Sequence, residues 1–192
     1  MKSLLLHICC APCALGALDV LKEEGFDVTG FFYNPNIHPL IEFRRRLKAM
    51  KMLMEAGDVK AETDDEYGLE AFLQEVYMRG GSGEGRCARC YEMRLRRAAR
   101  RTRELGLPAF TTTLLASQHQ DVELVAQVGE SAANAEGVEF VRRDFRENAE
   151  RGREDARRRS LYTQSYCGCI FSENERYRDT SKHLYRGPGG RN

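Results

Sequence analysis

Lys2-Ser-Leu-Leu-Leu-His-Ile-Cys-Cys-Ala-Pro-Cys13 is the stretch on which the fold turns. Leu4, Leu5, Leu6 and Ile8 make a nearly continuous apolar run, the pattern of a strand buried on both faces of a parallel sheet. The run ends at Cys9 and Cys10. Pro12 then stands at the expected first helical position, which puts Cys13 in the first turn of a following helix. Outward from this strand, further short β-type runs fall at Asp27–Tyr33, Val59–Glu62, Ala109–Thr113 and Val138–Val141. Amphipathic segments at 13–24, 40–56, 66–78, 88–105 and 119–135 lie between them. Strands alternating with helices of this length predict an α/β fold: one doubly wound, mainly parallel sheet covered by helices. The expected organisation is an α/β domain over 1–145 and a charged, helical, Cys-containing extension over 146–185 packed on it. A flexible tail, 186–192, ends the chain.

The 192 residues suit one domain with its own core, and no apolar run approaches the roughly 20 residues of a bilayer span. Hydrophobic residues at 42% and charged residues at 31% exclude disordered and collagen-like chains. Met1–Cys9 mimics a short lipoprotein signal, but its apolar stretch is too short and His7 interrupts it. Together with an odd cysteine count, this points to a cytoplasmic protein whose thiols are reduced or bound to metal rather than disulfide-linked.

Seven cysteines form three clusters: Cys9-Cys10-Ala-Pro-Cys13, Cys87-Ala-Arg-Cys90 and Cys167-Gly-Cys169. In doubly wound sheets ligands bind beyond the carboxyl ends of the strands, where Cys9 and Cys10 fall. A helix N-terminus favours the thiolate, the form that ligates metals. Cys87 and Cys90 open the next long helix after the glycine-rich run Gly80–Gly85. Cys13 and Cys87 are 74 positions apart, so a shared site is assembled on a scaffold rather than in a compact zinc knuckle. The spacing leaves zinc and iron–sulfur open.

Arginine outnumbers lysine 24 to 6. Eight of the arginines lie within 86–103 around an apolar stripe of Tyr91, Leu95, Ala98, Thr102 and Leu105, with Glu92 as the sole acid from 86 to 103. Such a stripe predicts a polyanion near the metal site, with Arg94, Arg97 and Arg101 as nucleic-acid contacts. Tyr162, Tyr166 and Phe171 can stack on bases or pack in the core. His7 reads as a packed strand residue, and His38 as a loop residue able to face a ligand. No Walker lysine motif, G-x-G-x-x-G run or serine elbow is present, which removes the usual support for nucleotide hydrolysis, NAD binding and hydrolase chemistry.

Five motifs occur together: His7-Ile-Cys-Cys-Ala-Pro-Cys13, Asn34-Pro-Asn-Ile-His-Pro39 with Glu42-Phe43, Gly85-Arg-Cys-Ala-Arg-Cys90, Thr111-Thr-Thr-Leu114 and Tyr166-Cys-Gly-Cys-Ile-Phe-Ser172. In this order, over about residues 3–175, the chain resembles the QueH family of epoxyqueuosine reductases. The resemblance implies a HUP-like (adenine-nucleotide α-hydrolase) sheet and the last step of queuosine synthesis, reduction of an epoxide on a tRNA wobble base to the alkene with loss of water. It implies a [4Fe-4S] cluster with an adjacent mononuclear iron, and a tRNA carrying epoxyqueuosine in its anticodon loop as partner. An electron donor, unidentified by the sequence, is implied too.

Carried onto this chain, Cys9, Cys10, Cys87 and Cys90 match the expected cluster ligands. Cys167 and Cys169 become a redox-active dithiol or ligands of the neighbouring metal, and Cys13 an alternative ligand in a three-thiolate cluster with an open iron. Asp144 is the candidate carboxylate ligand or proton donor, or else a helix cap. Glu147–Arg159 departs from the family pattern in being more acidic and irregular. Two rivals remain at this point. A zinc-stabilised RNA-binding module would use the same cysteines without a reaction. A sulfur-transfer enzyme would want an ATP-activating loop where Cys9–Cys13 stands.

Overall fold

A computed structural model describes residues 2–78 and 84–180. Its strands are β1 (Lys2–His7), β2 (Phe26–Phe32), β3 (Lys60–Thr63), β4 (Ala109–Thr112) and β5 (Glu139–Phe140), each within a residue or two of its sequence position. They form one sheet of order β3-β2-β1-β4-β5 in which every pairing is parallel. Leu4, Leu5 and Leu6 are all 0% exposed. Successive strand residues point to opposite faces, so both faces of β1 are covered, as its unbroken apolarity requires.

The helices are α1 (Ala11–Glu23), α2 (Leu40–Glu55), α3 (Leu69–Leu73), α4 (Glu84–Glu104), α5 (Val122–Glu136), α6 (Ala149–Arg158) and α7 (Ile170–Tyr177). α1 packs with α2 and α6 while α4 packs on α5, which gives two helical layers around the sheet. The chain runs to β2 on one side of β1 and to β4 on the other. The switch in direction therefore lies between β1 and β4, and the crevice beyond their carboxyl ends is where such folds bind ligands.

Several expectations move. Cys10 is the N-cap of α1, so Pro12 is its second helical residue rather than its first. The helix expected over 66–78 is α3 followed by a π-helical turn, Gln74–Met78, and Phe72 and Val76 stand buried four residues apart across the join. α5 begins three residues late because Asp121 caps it, accepting a hydrogen bond from the Leu124 amide at 3.0 Å. Leu105 leaves the buried stripe of α4: the helix ends at Glu104 and Gly106 turns the chain at φ 68°, so Leu105 is 36% exposed. Gly80–Gly83 and the expected tail 186–192 lie outside the described residues.

The 146–158 stretch is a 3-10 turn (Arg146–Asn148) leading into α6. Its irregular charge is explained by packing: Ala149, Gly152 and Ala156 face α1, and the charged residues take the other side. The approach is close. A Cβ on Gly152 would lie 2.3 Å from the Pro12 carbonyl oxygen, in the turn that carries Cys13. Gly152→Ala is therefore expected to push α6 off α1 at a cost of about 1–3 kcal/mol. A lowered midpoint in thermal unfolding checks this, and an unchanged midpoint shows that the contact has slack.

Candidate metal centre

At the switch point the chain leaving β1 turns directly into α1, and three thiols converge. The sulfurs of Cys9, Cys10 and Cys13 all lie within 4.8 Å of one another, the one such group of three or more potential ligands among the described residues. The β4 end closes the other side. Thr113 accepts from the Cys9 amide at 2.9 Å and directs its hydroxyl to Cys9 Sγ at 3.2 Å. From the C-terminal segment Gln164 donates through Nε2 to Cys10 Sγ at 2.8 Å. Two ligands at tetrahedral angles on one metal, each about 2.3 Å from it, are about 3.8 Å apart. Cys9 and Cys10 Sγ are 3.7 Å apart. The donors are soft and close enough for one metal to take several, so this group can hold a metal.

Charge in the trio is divided unequally. Hydrogen bonds from the Cys10 and Cys13 thiols hold Cys9 well below the usual thiol range, with help from Arg94 and Thr113. Burial pushes Cys10 up to about 12, and Cys13 is raised by donating to its two neighbours. One thiolate, at Cys9, is thus shared by three sulfurs.

The other four cysteines gather next door. Cys87 and Cys90 lie one turn apart in the first turns of α4, and the Cys167-Gly-Cys169 loop folds back to meet them. These four thiols, with Phe72, Val76, Tyr91 and Phe171, line a cavity of about 350 Å³. A second cavity of about 170 Å³ exposes Cys9 and Cys13. Arg94, Cys167, Tyr166 and His119 line both, so the two thiol groups face adjoining spaces across a common wall. Cys167 is held down at about 5, first by the hydrogen bond from Cys169 and then by Arg94 and Arg46. Cys90 is pushed up to about 12 by burial. None of the seven cysteines forms a disulfide.

The residues expected to contact nucleic acid do not form one exposed stripe. Arg94 is 2% exposed and donates through Nη2 to Asn34 Oδ1 at 2.7 Å, while Asn34 Nδ2 holds the Ile8 carbonyl at 2.8 Å. Arg101 is clasped by Glu62, at 2.6 and 2.7 Å, and by Glu104 at 3.0 Å. Arg97 covers the Phe31 ring. The acids that α4 lacks between 86 and 103 come from elsewhere: Glu62 on β3, Glu136 on α5, Glu175 on α7 and Glu104 at its own end. Asp144 lines neither cavity. It is held by Arg146 and accepts from the Arg146 amide at 2.9 Å, a local turn just before the 3-10 turn, whose N-cap is Phe145.

His7 is a packed strand residue, as expected. Its Nε2 is 3.1 Å from the Tyr33 carbonyl, which only accepts, so Nε2 carries the proton and Nδ1 accepts from the Thr112 hydroxyl at 2.8 Å. Burial and then Arg94 lower its pKa to about 3; burial lowers that of His38, paired with Tyr67, to about 4. Both pKa values are depressed in the folded protein, so below the unfolded value of 6.5 the unfolded chain binds the extra protons. Stability should fall with pH between 6.5 and 5, approaching about 1.4 kcal/mol per pH unit for each histidine. Urea unfolding at pH 7, 6 and 5 checks it; a flat profile means that the two rings protonate without cost.

This arrangement defines a class: a parallel α/β protein with a group of cysteines able to hold a metal at the switch point of its sheet. Over residues 4–175 the chain matches the family model described as epoxyqueuosine reductase QueH, and it belongs to that family. It is 35% identical over 174 residues to the epoxyqueuosine reductase QueH of Dehalococcoides mccartyi, covering 91% of this chain and 94% of that one. To the protein of the same name from Thermotoga maritima it is 33% identical over 183 residues, 92% and 93% of the two chains. Among the described residues no helix is long and apolar enough to cross a membrane.

Proposed function

We propose that this protein reduces epoxyqueuosine to queuosine in the anticodon loop of tRNA, in the cytoplasm. The observation that carries the reading is the juxtaposition of the Cys9–Cys10–Cys13 trio with a roomy, mostly apolar cavity lined by four further thiols. At about 350 Å³ this cavity has the volume of a small-molecule site. The reaction takes two electrons and two protons, breaks both C–O bonds of the epoxide, leaves an alkene and releases the oxygen as water. The donor set of Cys9, Cys10 and Cys13 supports an iron–sulfur group, a [4Fe-4S] cluster by the family resemblance; one more metal would draw its ligands from Cys87, Cys90, Cys167 and Cys169, whose sulfurs line one cavity without converging as the trio does. The alternative set of Cys9, Cys10, Cys87 and Cys90 would have to join two thiol groups that face different cavities. Bound there, such a group supplies single electrons, drawn from an external donor, and a Lewis-acid position for the epoxide oxygen.

The protein's own residues have distinct tasks in this reading. Phe72, Val76, Tyr91 and Phe171 exclude water from the ring being reduced. Arg94, buried at the wall between the cavities, stabilises negative charge on the departing oxygen. His119 lines both cavities, is exposed to solvent and can pass a proton inward. Asp144, engaged by Arg146, has no such task. A zinc-stabilised binding module is not favoured, since the relatives carry the name of a reductase.

The test begins with iron, zinc and acid-labile sulfide measured on anaerobically purified protein. Incubation with epoxyqueuosine tRNA and a chemical reductant follows, with nucleoside analysis of the digest. Iron with sulfide and a queuosine product are expected. Zinc without sulfide, together with unconverted epoxyqueuosine, would return the chain to the binding-module reading.

A further inference from the structure

Arg46 is a long cationic side chain that is 2% exposed and far in sequence from every cysteine cluster. Its guanidinium is fully engaged. Nε donates to Glu42 Oε1 at 2.7 Å, Nη1 to the Cys167 carbonyl at 3.1 Å and Nη2 to the Tyr166 carbonyl at 3.0 Å. The next carbonyl, Gly168, accepts from the His38 amide at 2.7 Å. The Tyr166 hydroxyl closes the loop by donating to the His38 carbonyl at 2.5 Å. Glu42 is steadied in turn by the Tyr162 hydroxyl. Three successive carbonyls of the Cys-x-Cys loop are therefore captured by the 38–46 segment, two of them by one planar fork.

We propose that Arg46 is a positioning residue that latches the Cys167-Gly168-Cys169 loop against the Cys9–Cys13 turn, and that Gly168 is glycine because the guanidinium occupies the space of its side chain. The inference deepens the reductase reading and rests on it for its catalytic consequence. Arginine suits the task because its rigid fork meets two carbonyls at once, which a lysine ammonium cannot do in the same plane. A Cβ on Gly168 would lie 3.2 Å from both Arg46 terminal nitrogens, and its φ of 119° is itself a conformation that side chains avoid. Arg46 also lines the cavity that exposes Cys9 and Cys13, so the latch spans both thiol groups. Without it, α7 and the segment after α6 would still be attached, but the two cysteines would lose their fixed distance from the rest of the site.

The latch is tested in metal-free, reduced protein by hydrogen exchange and in the loaded enzyme by kinetics. The variants are Gly168→Ala and the paired Arg46→Met, Glu42→Gln, which avoids leaving a buried carboxylate alone. Arg44→Met, on the exposed face of the same helix, is the control. Exchange at residues 163–170 should rise about tenfold or more in both latch variants while β1 and β4 keep their protection. In the loaded enzyme kcat should fall about tenfold to 100-fold with KM for tRNA unchanged, the signature of misplaced groups rather than lost binding. Wild-type exchange at 163–170 in Gly168→Ala would overturn the latch, as would loosening of β1 in the paired variant without any change in Gly168→Ala. A released loop with unaltered kcat would overturn its role in positioning. An inactive wild-type enzyme would count against the reductase reading alone, because the exchange pattern is read without substrate.

Discussion

Cys10→Ser is expected to strip the protein of its metal and lower epoxyqueuosine reduction by at least about 100-fold, a loss that changes in the outer shell of a metal site can already reach. Cys10 is 1% exposed and sits between Cys9, whose sulfur is 3.7 Å away, and the Gln164 amide at 2.8 Å. No water can take its place, and a serine oxygen is a hard donor that keeps its proton where a soft thiolate is wanted. The fold should survive, because the substitution removes little volume at the N-cap of α1 and serine caps helices well. Cys13→Ser is the informative companion. If the trio holds the cluster, Cys13→Ser loses iron and sulfide together, as Cys10→Ser does, while Cys87→Ser keeps the sulfide and forfeits the second metal and the activity. If the cluster instead uses Cys9, Cys10, Cys87 and Cys90, Cys87→Ser loses the sulfide and Cys13→Ser retains it. Metal and sulfide analysis of the three variants separates the two ligand sets without an activity assay.

The strands were legible in the sequence because a parallel sheet buried on both faces leaves an unmistakable apolar record, and Leu4–Leu6 carry it. Sheet order was not legible, yet the position of Cys9 and Cys10 at the end of the most apolar strand already put the site at the carboxyl edge. What the sequence hid was which partners each polar side chain would meet. The acids that neutralise α4 come from β3, α5 and α7, elements up to about 90 positions away, so local charge counting made a bare basic stripe of a paired surface. The same blindness covers Arg46, whose partners Tyr166 and Cys167 lie 120 and 121 positions later. The grouping of the thiols depends on side-chain direction within a single turn, which cluster spacing does not record. The burial of Arg94 is the feature whose signal lay within reach. Cys87, Cys90 and Arg94 stand at i, i+3 and i+7, one face of a helix, so an arginine in phase with a ligand pair belongs to the ligands' environment rather than to the solvent.

That phase leads to the second large effect. Arg94→Met should lower kcat about 100- to 1,000-fold, the loss typical of removing one preorganised donor from developing negative charge, and leave tRNA affinity and its salt dependence unchanged. Three observations set the direction. The guanidinium is 2% exposed, so it has no surface to offer a phosphate backbone. It is aimed by Asn34, which is itself anchored to the end of β1 at Ile8, so its position is fixed relative to the Cys9 turn. It also lines both cavities and is the charge that Cys9, Cys90 and Cys167 share in favour of their thiolates. Removing it should move the onset of Cys167 alkylation to higher pH, because Arg94 helps the Cys169 hydrogen bond to hold that thiol low. Arg101→Ala gives the contrast, since Glu62 and Glu104 already occupy that partly exposed guanidinium and surface pairs of this kind contribute about 1 kcal/mol or less. Single-turnover conversion measured beside filter binding over a range of salt concentrations decides the matter. If Arg94→Met weakens binding, flattens its salt dependence and leaves turnover at saturation intact, Arg94 touches RNA after all, and the charge at the wall between the cavities is not what stabilises the departing oxygen.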